Sequence, residues 1–357
     1  MRRFLGRHAV VHSWLLLLAI LFAVYFYGIS STAAANRVAA VTQIVKDSFA
    51  GLWYHFPFSV VEWLYVLFIA ACIVWIVVIC VGLRRRKGRA ILYGRVVGLI
   101  CFALSAWGLY CLLWGVNYYA DGFQEQSGIY AQPVTVEELE RVTQLFVEGL
   151  SETHDKVLRD ENGVFAVERD GIFAESVSVY ENAAERFPFL RREDRIPKKM
   201  LFSRLFSAMN FTGFYSPYTG EANLNVDCPA CLLPATITHE LAHQRGIASE
   251  QECNFLAVMA SIASDLPVYQ YSGYLMGYIH LGNALYRADP QKWEAVYAQL
   301  PDTVKTDLQY HRAYWSEFEG TTAKVTQKLY DTTLKSYGQE NGIQSYGTVV
   351  DLLVAYY

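Results

Sequence analysis

The residue types best suited to chemistry lie in one short run, THELAHQRGIASEQECNF, at positions 238–255. If this run is helical, His239 and His243 lie one turn apart on the same face, so their imidazoles can converge on one zinc ion. Glu240 can then face the water molecule that the metal activates. The spacing therefore predicts the zinc site of a hydrolase.

The residues on both sides of the motif favour this prediction. Pro234 lies where a helix would begin, and Gly246 follows the second histidine where a metal-binding helix must end so that the chain can turn back. The alternative is that the His-Glu-x-x-His spacing arose by chance, in which case the segment is an ordinary amphipathic helix.

A catalytic zinc ion keeps three protein ligands and one open position for water, so a third ligand is expected downstream. Ser249 and Glu252 have the spacing of a capping box, which predicts that a second helix begins here. In that helix Glu250 and Asn254 share a face, whereas Glu252 is rotated by about 200° from Glu250. Glu250 is therefore the predicted ligand. Glu252 is the alternative ligand. If Glu252 only caps the helix, it does not bind the metal.

The arrangement resembles that of the gluzincins, in which a glutamate on a second helix is the third ligand and an aspartate four residues later supports the first metal-binding histidine. Glu250 matches that ligand, and Asn254 stands in place of the aspartate. The resemblance implies a neutral hydrogen bond in which an imidazole N–H donates to the side-chain oxygen of Asn254. Ser249 occupies the place of the third histidine of the metzincin pattern, and serine is a poor zinc ligand, so that subfamily is disfavoured.

Three long apolar segments predict that the motif belongs to a membrane protein. Of the 357 residues, 53% are hydrophobic and 18% are charged. The apolar residues concentrate in segments 10–29, 60–83 and 96–119. Each has about 20 to 24 residues, enough to cross a hydrocarbon core of roughly 30 Å as a helix. The sequence thus predicts three transmembrane helices.

Basic residues predict the orientation of these helices. The strongly basic segments 2–7 and 84–89 should both be cytoplasmic, whereas residues 30–59 hold only two cationic side chains. Everything after Tyr119 is then extracytoplasmic. The first segment could instead be a cleaved signal peptide, but its apolar core is longer than such peptides have, which favours a retained anchor.

The cysteines indicate the environment only weakly. Four of the seven lie in the apolar segments and are interpreted as small apolar residues. Cys228 and Cys231 form a C-x-x-C pair ahead of the metal motif. Because a zinc knuckle would need a second pair, a short disulfide, a redox pair or two packed thiols remain as alternatives. Cys253 is expected to be buried.

Residues 120–357 are predicted to form one mostly helical domain. Helical periodicity covers segments 134–158 and 172–187 and most of the chain beyond Asp265. Residues 209–226 predict a β-hairpin around a Ser-Pro-Tyr-Thr-Gly turn. Its second strand, 221–226, could form the edge of a cleft and pair with an extended substrate. The alternative is a hairpin that only covers the core.

A zinc hydrolase also needs a donor that stabilises the oxyanion of the transition state, and histidine or tyrosine commonly provides it. His311, flanked by Tyr310 and Tyr314, is the candidate. His280 is less favoured because the rest of its helix is apolar.

Taken together, the three apolar segments, YTGEANLN, HELAHQRGIASEQECNF and the terminal LKSYGQENGIQSYGTVVDLLVAYY closely resemble a bacterial family called domain of unknown function 3810. The likeness covers nearly the whole chain. It implies a membrane anchor at 1–119 and a mainly α, zincin-like extracytoplasmic metallopeptidase domain at 120–357, with a small hairpin or sheet before the metal helix.

The expected function is zinc-dependent peptide-bond hydrolysis, with His239, His243 and Glu250 holding Zn²⁺ and Glu240 as general base. One rival keeps the metal but takes cell-envelope peptides such as peptidoglycan stems as substrate. Another is a receptor or scaffold with a structural or degenerate metal site. The expected partners are a peptide or protein substrate and the lipid bilayer. With a net charge of −4 and no basic stripe, nucleic acid is not expected. The oligomeric state is left open.

Overall fold

The computed structural model describes residues 8–84, 88–336 and 346–357, and most of them are helical. The basic residues Arg2, Arg3 and Arg7 and segment 85–87, on which the predicted orientation rests, lie outside the described part, as does segment 337–345. Contacts divide the chain into two units. The first comprises Met1–Ala120 and Ser216–Gly220, and the second comprises Asp121–Tyr215 and Glu221–Tyr357.

The first unit contains four long helices: α1 (Ala9–Gly28), α2 (Thr32–Trp53), α3 (Val60–Arg84) and α4 (Arg89–Leu113). Ala9–Gly28, Val60–Arg84 and Ile91–Leu113 are long and apolar enough to cross a membrane. Three membrane-spanning candidates were expected, but the third is shifted toward the N-terminus. The α-helix ends at Leu113 because Trp114 leaves helical geometry (φ −132°, ψ −51°), and Gly115–Tyr119 forms a 3₁₀ helix instead.

The second unit is mainly helical. Its helices are α5 (Phe123–Ser127), α6 (Val136–Thr153), α7 (Arg169–Glu175), α8 (Glu181–Arg186), α9 (Ser203–Ala208), α10 (Leu233–Gln244), α11 (Glu250–Ala263), α12 (Pro267–Ala288), α13 (Pro290–Ala298), α14 (Asp302–Ser316), α15 (Thr321–Ser336) and α16 (Tyr346–Tyr356).

The capping signals of α6 act as the sequence indicates. The hydroxyl of Thr135 accepts from the backbone N–H of Glu138, and the carboxylate of Glu138 accepts from the N–H of Thr135 at 2.9 Å. The segment from Ile172 to Phe187 is not one helix, however. It breaks at the 3₁₀ turn Ser176–Ser178, where the buried hydroxyl of Ser176 bonds the carbonyl of Phe173.

A small sheet precedes the metal motif in the chain. It contains β1 (Lys198–Lys199), β2 (Gly213–Ser216) and β3 (Glu221–Leu224) in the order β1-β3-β2, with β1 parallel to β3. The predicted hairpin is therefore present, but β3 is the central strand and all four of its residues are buried. The proposed edge role for residues 221–226 was wrong, because β1 pairs along Asn223 and Leu224 and β2 lies on the other side.

The core of the second unit surrounds α10. The backbone N–H of Ala235 donates to Ser272 on α12 at 3.1 Å, and the Thr238 and Ser261 hydroxyls are 2.9 Å apart across α10 and α11. The Tyr180 hydroxyl donates to the carbonyl of Thr238 at 2.9 Å. Since both bonds to Thr238 involve the residue before His239, they fix the position and rotation of the helix that carries the motif.

Candidate metal centre

Helix α10 begins and ends where the sequence indicates. It starts at Leu233 with Pro234 in its first turn, where a missing N–H costs nothing. It ends at Gln244, and Gly246 takes a positive φ of +86°, a conformation that disfavours side chains with a Cβ. His239 and His243 share one face, with ring centroids 4.8 Å apart.

Helix α11 brings a carboxylate to these imidazoles. The Ser249 hydroxyl accepts from the N–H of Glu252, so Glu250 becomes the first residue of the helix. Glu250 Oε2 lies 3.2 Å from His239 Nε2, and Oε1 lies 3.5 Å from His243 Nε2. One potential ligand atom from each of the three residues lies within 4.8 Å of the others.

The donor set fits a zinc ion. Two nitrogen ligands and one oxygen ligand are typical of catalytic zinc, and at bond lengths of 2.0–2.2 Å tetrahedral geometry separates neighbouring ligand atoms by roughly 3.3 Å. The separations of 3.2 and 3.5 Å between Glu250 and the two histidines are of this size. Mg²⁺ and Ca²⁺, which prefer oxygen ligands, match the set less well.

The remaining nitrogen of His243 is also held in place. Its Nδ1 lies 2.8 Å from the carbonyl oxygen of Ile247, which can accept a hydrogen bond only if Nδ1 carries the proton. In the neutral form of His243 this tautomer puts the lone pair on Nε2, the atom facing Glu250, as a metal ligand requires. The thiol of Cys253 lies 3.3 Å from the same Nδ1 and 3.3 Å from the same carbonyl.

Charges within the group favour the ionised carboxylate. Burial by itself raises the pKa of Glu250, but His243 and His239 bring it to a net value well below the usual range. Burial likewise lowers the pKa of His243, but Cys253 and Glu250 bring it to a net value well above the usual range. An ionised, partly buried carboxylate between two imidazoles can attract a cation.

Glu240 lies beside the group on the same helix. It is 3% exposed, and its buried Oε2 has no hydrogen-bond partner among the residues that the structure describes. Burial raises its pKa to about 7, even though His239 and His243 lower it. On its other side is β2, where a methyl group added at Gly213 would come within 2.7 Å of Glu240 Oε1. A carboxyl with a pKa near 7 can take up and release a proton at neutral pH.

Glu252, the alternative ligand, points elsewhere. Its carboxylate accepts from the N–H of Phe123 at 2.8 Å and from the N–H of Gln124 at 3.1 Å, so it caps α5. The ambiguity between the two glutamates is thus decided by geometry: Glu250 lies with the histidines and Glu252 does not. The capping role was expected, but the helix it caps is one that is distant in the sequence.

Asn254 does not provide the hydrogen bond that the gluzincin resemblance implies. Within the described residues, neither imidazole is hydrogen-bonded to Asn254, and the partner of His243 is the carbonyl of Ile247. At the second histidine, the turn after Gly246 carries the carbonyl of Ile247 back to Nδ1 of His243. Cys253, rather than its neighbour Asn254, is the α11 side chain that contacts Nδ1 of this imidazole.

The two histidine candidates for oxyanion stabilisation have different surroundings. His311 lies on α14, where its Nε2 accepts from the indole N–H of Trp315 at 2.9 Å, and burial lowers its pKa to about 4. Burial also lowers the pKa of His280 to about 4, and His239 contributes to that shift. His280 is therefore electrically coupled to the metal motif, a proximity that the apolar sequence of its helix concealed.

The Cys228–Cys231 pair consists of two free, buried thiols. The thiol of Cys228 donates to the carbonyl of Asn225 at 3.1 Å, and burial raises its pKa to about 11. Of the alternatives from sequence, two packed thiols describe this arrangement.

Comparison with known proteins identifies one family. No curated protein and no solved structure matches the chain. Residues 36–354 match the family described as "Protein of unknown function (DUF3810)". Because the match covers most of the chain, the protein belongs to the DUF3810 family.

Proposed function

We propose that this protein is a membrane-anchored zinc metallopeptidase. The proposal rests on one observation: His239, His243 and Glu250 offer three ligand atoms within 4.8 Å of one another, directly beside the buried carboxyl of Glu240. Three protein ligands leave one position of a tetrahedral zinc ion for water, as in catalytic sites.

Each residue of the centre would have a separate task. When bound, zinc supplies a Lewis acid that polarises a carbonyl group and lowers the pKa of water. The two imidazoles and Glu250 hold the ion. Glu240 accepts a proton from the attacking water and then donates it to the leaving amide nitrogen. Its Oε2, buried and without a protein partner, is the atom available for that exchange.

The arrangement favours a catalytic rather than a structural ion. A structural zinc site is closed by a fourth protein ligand, commonly cysteine. Cys253 is the nearest thiol to the motif in the described part of the chain, but it contacts Nδ1 of His243, whereas Nε2 faces Glu250. It therefore lies behind the imidazole and would not complete a four-ligand site.

The proposed location is extracytoplasmic. Three helices of the first unit are able to cross a membrane, and the basic segments 2–7 and 84–89 would keep the N-terminus and the second loop in the cytoplasm. The substrate is then a peptide or protein outside the cytoplasm. Peptidoglycan stem peptides are the rival substrate within the same chemistry.

Zinc content and turnover of the purified full chain test the proposal. We expect one zinc per chain in the native protein and in Glu240→Gln, and little zinc in His239→Ala and Glu250→Gln. Glu252→Gln is the matched control and should keep its zinc. Glu240→Gln should abolish hydrolysis of a peptide library. Full activity in that variant would contradict the assigned role, and a zinc-free native protein would contradict the metal site.

The same inactive variant can identify the substrate. Glu240→Gln should retain bound peptides during isolation from membranes, and mass spectrometry distinguishes protein fragments from peptidoglycan stems. Recovery of stems alone would favour the rival substrate.

A further inference from the structure

Helix α2, between the first two candidate spans, has two contrasting faces. The side chains of Ala35, Thr42, Lys46 and Ala50 are buried, with exposed fractions of 0, 6, 1 and 1%. Another side carries exposed apolar residues, Val41, Ile44, Val45, Phe49 and Leu52, and the exposed polar residues Arg37 and Ser48 interrupt it. Ile44 is 69% exposed and Leu52 is 58% exposed. A helix with such a face has an apolar surface that requires a partner.

The buried face packs within the first unit, across the ends of two candidate spans. A methyl group at Gly28, the last residue of α1, would come within 3.4 Å of Val38. The ammonium of Lys46 lies 5.4 Å above the ring of Trp114, which directly follows α4. The middle of α2 therefore lies at the level where α1 and α4 end.

Short connections hold both ends of α2 near the ends of the candidate spans. Residues 29–31 connect it to the end of α1, and residues 54–59 connect it to the start of α3. Its 22 residues span about 33 Å at 1.5 Å per residue. It is not among the helices apolar enough to cross a membrane. These restraints favour a helix that runs along the membrane boundary rather than through it.

The residues that follow α2 match such a boundary. Trp53 and Tyr54 end the helix, and Phe56 and Phe58 are each 43% exposed in the connection to α3. The ring centroids of Trp53 and Phe56 are 6.4 Å apart, and those of Phe56 and Phe58 are 5.6 Å apart. Tryptophan and tyrosine concentrate at membrane–water boundaries, where their rings meet the headgroups.

We propose that α2 is an interfacial membrane helix whose exposed apolar face contacts lipid acyl chains. Lipid is the expected partner of this face because the face is continuous with the exposed surface of the candidate spans. The three candidate spans of the same unit have only 11, 6 and 22% of their apolar windows buried within the protein. Their exposed surface must face hydrocarbon, and α2 begins where that surface ends. A helix that lies in the interface plane with its apolar face toward the acyl chains has this kind of surface.

Photo-crosslinking in a bilayer tests this placement without altering the protein. The full chain is placed in phosphatidylcholine nanodiscs that contain a phosphatidylcholine with a diazirine in its acyl chain, and adducts are mapped by mass spectrometry. We expect adducts on residues 41–52 as well as in α1, α3 and α4. Helix α6, an amphipathic helix of the second unit, is the negative control. Adducts in the spans with none on α2 would overturn the proposal.

A matched pair of variants sharpens the result. Ile44→Glu places a charge on the exposed face and should lower the adduct yield on α2 several-fold relative to the spans. Gln43→Lys, at a half-buried position beside Asp47 and off the apolar face, should leave that ratio unchanged. With a photo-reactive amino acid at position 44 in place of the lipid probe, crosslinks to a second copy of the chain rather than to lipid would show that protein covers this face and would contradict the proposal.

Discussion

The carboxylate of Glu240 lies directly against the backbone of Gly213. A methyl group at position 213 would come within 2.7 Å of Glu240 Oε1 and within 3.0 Å of the backbone oxygen of Asn223. Because Asn223 belongs to the central strand, only the carboxylate could move to relieve the overlap. A glycine on β2 thus permits the close approach of the sheet to the proposed general base.

We therefore predict that Gly213→Ala displaces Glu240. The variant should keep its zinc, because the three proposed ligands are untouched. The proposed peptidase activity should fall on the order of 100-fold, as misplacement of a reacting group by about 1 Å can cost. Gly171→Ala is the matched control, since a methyl group there meets no atom within 4 Å. Equal activity of the two alanine variants would show that the contact does not position Glu240.

The two glutamates at the start of α11 should separate metal binding from stability. In Glu252→Gln the N–H groups of Phe123 and Gln124 lose a charged acceptor, which we expect to lower the free energy of unfolding by about 1–3 kcal/mol. Glu250→Gln should instead lose zinc. Metal analysis and chemical denaturation of both variants check this, and zinc loss in Glu252→Gln would reverse the assignment.

The buried ion pair after the metal helix should be needed for stability. Arg245 donates to Asp194 at 2.9 and 2.6 Å, and the two side chains are 3 and 2% exposed. Arg245→Met leaves a buried, unpaired carboxylate and should destabilise the second unit by about 3–5 kcal/mol. The double variant Arg245→Met/Asp194→Leu should recover part of this loss, which thermal unfolding can measure. An unchanged melting temperature in the single variant would contradict the prediction.

Acid sensitivity should depend on Tyr314. The Tyr314 hydroxyl donates to Asp227 at 2.6 Å, and this bond, followed by the contacts with Arg204 and Ser207, keeps the pKa of Asp227 below its usual value although burial opposes the shift. A lowered pKa in the folded state stabilises the protein above the unfolded pKa of about 3.9, and this contribution is lost as the pH falls toward the folded value.

Tyr314→Phe should therefore be less stable than the native protein at pH 7, and the difference should shrink below about pH 4. Thermal unfolding across this range measures it. Tyr310→Phe is the control, because Tyr310 is 51% exposed and four residues away on the same helix. If the difference in stability between Tyr314→Phe and the native protein grows as the pH falls, the prediction is contradicted.

The sequence by itself determined the local features of the centre. Two histidines one turn apart need only helical geometry to share a face, and Pro234, Gly246 and Ser249 fix the helix ends through backbone preferences that act over a few residues. The three apolar segments indicated helices of membrane-spanning length for a similar reason, because length and hydropathy decide it.

Only the tertiary structure decided which distant groups meet. Glu252 caps a helix that begins at Phe123, β1 makes β3 a central strand, and Gly213 touches Glu240. Helix α2 was not predicted from the sequence, because polar residues interrupt its apolar face and it contains no long apolar run. Such contacts depend on packing between elements far apart in the chain, and neither periodicity nor spacing along the sequence encodes which partner an element will find.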